Sequence, residues 1–245
     1  MGDHPLPSRG LADVPRVLLI SHEPIGEPGL VGRILVERGC ETELHVVLAD
    51  PEHPNVDYPD PQQFDAVIAF GSFSSAYDPA ARPWVEPEVD LIRRMLADDL
   101  PYLGVCFGGQ LLAEALGGTV EAAPSGHDEI GLVTFDEADG VPAGPWVTWH
   151  GDRVTLPPDV DVLARNDHAI QVFRKGRAAG TQFHPEADTA IFTTWATIGA
   201  DHIPAGRDGA TLISDVAASE AALRANCEAL VDWFLAEVAG VSAAS

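Results

Sequence analysis

The sequence predicts an α/β fold on a parallel, doubly wound sheet, and three observations carry that expectation. Continuous apolar runs at Arg16 to Ser21 (RVLLIS), Phe64 to Phe70 (FDAVIAF) and Leu103 to Val105 read as strands covered on both faces. Segments with helical periodicity separate them. The third run passes through a glycine-flanked cysteine straight into a helix, and strand ends of this kind carry the functional loops of doubly wound sheets.

Taken in order, Arg16 to Ser21 is the first strand, followed by a loop containing Gly and Pro. Leu30, Ile34 and Leu35 then mark a short amphipathic helix that stops at Gly39, and Thr42 to Ala49 (TELHVVLA) is a second strand. Pro51 to Gln63 is a proline-rich connection, Phe64 to Phe70 a third strand ending at Gly71-Ser72-Phe73-Ser74-Ser75, and Val85 to Ala97 a helix. After the fourth strand, Leu103 to Val105, Leu111, Leu112, Ala115 and Leu116 recur at helical spacing until Gly117-Gly118. From Thr119 short alternating pieces (Ile130 to Phe135, Trp146 to Trp149, Val154 to Leu156, Ala169 to Phe173) predict antiparallel strands or hairpins. Ala178 to Phe183 leads into His184-Pro185-Glu186. Ala187 to Ser214, rich in Thr, Gly and Ala, reads as an irregular or partly helical excursion, and residues 217 to 239 as a helix carrying Leu223, Cys227, Leu230, Val231 and Phe234 on one face.

A chain of 245 residues suits one sizeable core, so a single domain is expected over 15–240, with a loose leader at 1–14 and a tail at 241–245. The amino-terminal stretch has neither the basic start nor the apolar run of a secretory signal. A formal charge of -24 would repel phosphate backbones and anionic lipid, which argues against nucleic acid and membrane surfaces as partners. Cys40, Cys106 and Cys227 are an odd, scattered set that fits a reducing compartment, hence the cytoplasm, better than a disulfide framework.

The elbow Pro101-Tyr102-Leu103-Gly104-Val105-Cys106-Phe107-Gly108-Gly109-Gln110 is where the chemistry is expected. A residue at a sharp strand-to-helix turn is usually strained, and Gly104 and Gly108, two positions either side of Cys106, let neighbouring chains pass closely. The free N–H groups and positive end of the helix favour a thiolate there, and the N–H of Phe107 is placed to serve an oxyanion. A lone cysteine among apolar neighbours is ordinarily inert. Glycine on both sides argues otherwise.

A cysteine nucleophile needs an imidazole, and the imidazole an orienting acceptor. Of nine histidines, His184 is the most informative: Pro185 biases it toward extended backbone, where side chains two apart share a face, so Glu186 can orient it. Gly104-x-Cys106-x-Gly108-x-Gln110 with the later Gln182-Phe183-His184-Pro185-Glu186 resembles the class I, triad-type glutamine amidotransferases. The resemblance runs from Phe64 to Glu186, includes Glu129-Ile130-Gly131 and Trp149-His150-Gly151-Asp152, and is greatest to free-standing members related to the amidotransferase domain of GMP synthetase.

That resemblance implies a flavodoxin-like, mostly parallel sheet with helices on both faces and added antiparallel hairpins. It implies Cys106, His184 and Glu186 as nucleophile, base and orienter, and Gly71 and Phe107 as backbone oxyanion donors. Gln110 would hold substrate, with Trp149, Gly151 and Asp152 in the loop lining the pocket for its amino-acid end. The usual Gly-Gly-Pro oxyanion loop is Gly71-Ser72-Phe73 here. The implied reaction needs no cofactor and no metal. Glutamine or another γ-glutamyl compound is the expected substrate and a separate ammonia-accepting synthetase a candidate partner. The alternatives are a γ-glutamyl peptidase or hydrolase and a catalytically silent binding subunit.

Other constellations carry less. His150 with Asp152 is read as a pocket-loop or packing pair, and His22-Glu23 and His45 lack zinc-ligand spacing. Trp146, Trp149 and Trp195 are candidates to cap a pocket or fill the core, Cys227 is structural, and Asp136-Glu137 with Asp139 forms a solvated turn.

Overall fold

The structure, a computed structural model, describes residues 14–136 and 140–241. The expectations for residues 1–13, for Glu137 and Asp139, and for 242–245 lie outside the described residues.

The chain runs β1 (Arg16–Ser21), α1 (Gly29–Glu37), β2 (Glu41–Val46), β3 (Ala66–Ala69), α2 (Arg82–Ala97), β4 (Tyr102–Val105), α3 (Phe107–Ala115), β5 (Thr119–Ala122) and β6 (Glu129–Val133). It continues through β7 (Trp146–His150), β8 (Asp152–Thr155), β9 (Asp161–Arg165), β10 (Ile170–Lys175), β11 (Ala178–Thr181), α4 (Thr189–Ile198), α5 (Gly209–Ala218) and α6 (Glu220–Trp233), which ends in a π-helical turn, Phe234–Val238. The central sheet has the order β2-β1-β3-β4-β11-β10-β9. Its first five strands are parallel, and β10 and β9 add antiparallel pairings at one side. Two small antiparallel sheets, β5–β8 and β6–β7, are the added hairpin elements.

Strand alternation divides the core. Val17 and Leu19 of β1 join Leu30, Ile34 and Leu35 of α1 and Leu230 and Val231 of α6 on one face. Leu18 and Ile20 join Val85, Val89 and Ile92 of α2 and Leu111 and Leu112 of α3 on the other. The fold is the flavodoxin-like doubly wound arrangement, with β4 inside the sheet.

Some boundaries differ from expectation, for physical reasons. Four of the six residues of β2 are exposed, as on an edge strand, and the chain turns away after Val46. Strands β5 and β9 were not expected, because Thr119–Ala122 and Asp161–Arg165 bury little. The stretch read as irregular holds α4 and α5, each with an aspartate that caps its first turn: Asp188 accepts from the Ile191 N–H and Asp208 from the Thr211 N–H, both at 3.0 Å. Threonine gives α4 little helix propensity, and packing of Ile191, Phe192 and Trp195 holds it in place. Among the described residues no helix is long and apolar enough to cross a membrane.

Candidate active site

Cys106 stands between β4 and α3 with φ of 50° and ψ of -104°, a region an L-residue occupies only at a cost of about 1–3 kcal/mol. The surroundings hold it there. The Cys106 N–H donates to the Thr181 carbonyl at 2.8 Å, the Gly108 N–H to that of Phe70 at 3.1 Å, and the Gln110 N–H to that of Cys106 at 2.9 Å. Both expected glycines are required: a Cβ on Gly104 would lie 2.3 Å from the Gly108 carbonyl oxygen, and one on Gly108 2.3 Å from that of Ala69.

His184 follows β11, the parallel neighbour of β4, so sheet order brings it to the elbow across a long stretch of sequence. Its N–H donates to the Val147 carbonyl at 2.8 Å, and its Nδ1 lies 2.7 Å from Glu186 Oε1. The Leu30 N–H, in the first turn of α1, donates to the Glu186 carbonyl at 2.8 Å and fixes that end of the pair. Cys106 and His184 flank the same glycine, Gly71, and the thiol acts electrostatically on the ring. Burial opposes a charge on the ring, but Glu186 and Cys106 together outweigh it and hold His184 well above its ordinary 6.5. Gln182 Nε2 reaches Cys106 Sγ at 3.5 Å, a contact that sequence reasoning passed over because the motif had been read for its acid and base only.

Gly71 packs against both His184 and Cys106: a Cβ there would stand 2.8 Å from His184 Cε1 and 3.9 Å from Cys106 Cβ. The Gly71 and Phe107 amides donate to no group among the described residues. Beside Gly71 opens a cleft walled by Glu23, Gly71, Phe73, Trp149, His184 and Trp195, with Cys106 and Phe107 buried behind its walls. Glu23 shapes its rim by accepting from Ser72 Oγ at 2.7 Å and the Phe73 N–H at 3.1 Å. No spacing in the sequence links Glu23 to that loop.

Of the residues expected to hold substrate, Trp149 lines this cleft, whereas Gln110 is buried in α3 and, like Cys106, is not among its walls. Gly151 and Asp152 are not among the walls, and the Tyr77 hydroxyl donates to Asp152 Oδ1 at 2.8 Å. His150 bonds the Asp152 carbonyl, not its carboxylate, and its second nitrogen lies 2.9 Å from Glu129 Oε2. Glu129 also accepts from Asn166 and Gln171. Burial raises the Glu129 pKa, but these partners, led by His150, bring the balance below the ordinary value. Trp146 is fully buried and stacks on Phe183 in the core, while the Trp195 ring meets that of His184 edge-on at 4.7 Å. His45 bonds the Asn55 carbonyl.

A thiol and an imidazole at the carboxyl ends of adjacent parallel strands define a doubly wound α/β protein with the makings of a cysteine-nucleophile site. The family model described as glutamine amidotransferase class-I matches residues 30–194, and the chain belongs to that family. Its relatives include the protein named GMP synthase [glutamine-hydrolyzing] of Pyrobaculum aerophilum, 33% identical over 168 residues, which are 64% of this chain and 31% of that protein. The protein of the same name from Mycolicibacterium paratuberculosis is 37% identical over 131 residues, 49% of this chain and 23% of the relative. The chain thus spans less than a third of the length of these curated relatives. The crystal structure of a glutamine amidotransferase from Thermotoga maritima superposes with a TM-score of 0.79 at 25% identity, covering 91% of this chain and 99% of that one. A glutamine amidotransferase from Methylobacillus flagellatus shares the fold with a TM-score of 0.77 at 24% identity, covering 95% and 98%.

Proposed function

We propose that the chain hydrolyses the γ-amide of glutamine through a cysteinyl γ-glutamyl thioester, with Cys106, His184 and Glu186 as its triad. The convergence of Cys106 and an imidazole bonded to Glu186 on the same glycine, Gly71, carries this reading. His184 takes the thiol proton and Cys106 Sγ attacks the γ-carbonyl carbon. The amides of Gly71 and Phe107 hold the resulting oxyanion, a role in which each donor is worth about 10²–10³ in rate. The imidazolium gives its proton to the departing amine, the C–N bond breaks and ammonia leaves. His184 then takes a proton from water, which attacks the thioester carbon, and the thiolate leaves as glutamate is released. Glu186 keeps the ring oriented and stabilises its charge throughout.

Names of the relatives support a role in supplying ammonia to a separate synthetase, and residues 15–240 as one amidotransferase domain agree with the extent of the structural match. One observation favours a second reading, hydrolysis of larger γ-glutamyl amides. Phe73, 56% exposed, with Trp149 and Trp195 presents aromatic surface at the cleft that ammonia does not need. Steady-state comparison of glutamine with γ-glutamyl dipeptides separates the two. Higher kcat/KM for glutamine is expected, and a preference for dipeptides would replace the first reading with the second.

A further inference from the structure

The core holds a second histidine–carboxylate pair that the reaction above does not use. His22, just after β1, and Glu88, on α2, both have fully buried side chains, with His22 Nε2 3.0 Å from Glu88 Oε2. The Tyr58 hydroxyl donates to the same carboxylate oxygen at 3.0 Å, and Glu88 Oε1 is buried with no partner among the described residues. His22 Nδ1 lies 3.0 Å from the Gly71 carbonyl oxygen. A carbonyl oxygen only accepts, so Nδ1 must carry a proton; a carboxylate at Nε2 then favours the imidazolium. Burial opposes that charge, and Glu88, with Glu23 and the Gly71 carbonyl, outweighs it and raises the ring above its ordinary value. The ring also meets Phe107 edge-on, centroids 4.7 Å apart, and Trp84 at 5.7 Å.

His22 therefore touches both residues whose amides are assigned to the oxyanion. It grips Gly71 through the carbonyl of the peptide that follows that residue. The peptide preceding Gly71, which carries its N–H, is fixed by the bond from the Gly108 amide to the Phe70 carbonyl. A buried ion pair is a poor way to gain stability, since well-packed apolar side chains of similar volume are often as good or better. Its use here is directional: an apolar pair would leave the peptide after Gly71 unanchored, so that the Gly71 Cα and the amide on its other side would be held from one side only.

We propose that His22 and Glu88, with Tyr58, are a positioning group that holds the Gly71 and Phe107 amides in register for the oxyanion. They act through the loop and the helix start and touch neither substrate nor sulfur. The inference rests on the proposed hydrolase reading.

The test measures two reactions of the same thiol in wild type, His22→Phe and Glu88→Gln. Turnover of the preferred γ-glutamyl substrate passes through an oxyanion; alkylation of Cys106 by iodoacetamide, followed by peptide mapping, does not. A misplaced donor should lower kcat by about 10²-fold in His22→Phe and about 10-fold in Glu88→Gln, with KM nearly unchanged. Alkylation should stay within about twofold of wild type, since it reports the thiolate and its access. Glu88→Gln preserves volume and can keep one oxygen toward His22 and Tyr58 while removing the charge, so it speaks even where His22→Phe does not fold. Full kcat in a folded variant, or alkylation falling in step with kcat, would overturn the positioning role while leaving the hydrolase reading intact. A wild type that turns over no γ-glutamyl substrate would remove that reading, and this inference with it.

Discussion

Cys106 and Cys227 belong to the same apolar layer, 6% and 0% exposed, yet their surroundings prepare them for opposite fates. Cys227 sits inside α6 on regular helical backbone, where burial, with a further contribution from the charge of Glu186, pushes its thiol up. Cys106 sits on strained backbone at the start of a helix, with His184 on the other side of Gly71. The same Glu186 carboxylate that disfavours a thiolate at Cys227 bonds the His184 imidazole on the Cys106 side. Burial alone therefore says little about reactivity. Backbone direction and the nearest polar partners decide it.

The sharpest contrast comes from deleting each sulfur. Cys106→Ala is expected to lower kcat by more than about 10⁴-fold, as for nucleophiles generally, and to keep its thermal midpoint within a few degrees, because chemistry is removed and little volume. Cys227→Ala is expected to leave kcat within about twofold and to cost about 1–2 kcal/mol in denaturant unfolding through the small cavity it opens. Equal losses of activity from the two substitutions would erase the distinction.

A smaller effect is expected at Gly71. Its Cβ in Gly71→Ala would meet His184 Cε1 at 2.8 Å, and the shift needed to relieve this should lower kcat about 10²-fold. Cys227, away from that contact, should keep its protection from thiol reagents in the same variant.

The smallest expected effect concerns pH. His184 is held above its ordinary 6.5 in the folded protein, so folding binds its proton more tightly than unfolding does. That contribution to stability is complete below about pH 6.5 and fades as pH rises through the raised folded value. The thermal midpoint of wild type relative to His184→Gln should therefore be highest at low pH and decline with rising pH. The corresponding difference for Cys227→Ala should stay flat across the neutral range, where a thiol pushed upward does not titrate.

The two cysteines also differ in how far their settings could be read from sequence. Apolar runs declared β1, β3 and β4, and paired glycines marked the elbow, since both signals are local. His184 and Glu186 were legible through Pro185 and their spacing, although only sheet order could bring them to Cys106. The partners supplied by distant strands and helices were not legible. Glu129, which bonds His150, comes from the adjacent strand of its hairpin, and Glu88, which bonds His22, lies 66 residues away on α2. Helices α4 and α5 were obscured by threonine and glycine, although Asp188 and Asp208 were cap signals in plain view.

The most direct measurement is acid quench of wild type during turnover of isotopically labelled glutamine, followed by digestion and mass spectrometry of the cysteine peptides. A labelled γ-glutamyl group on the Cys106 peptide, absent from those holding Cys40 and Cys227 and lost in Cys106→Ala, is the predicted result. Continued turnover by Cys106→Ala, or the acyl group on another cysteine, would contradict it.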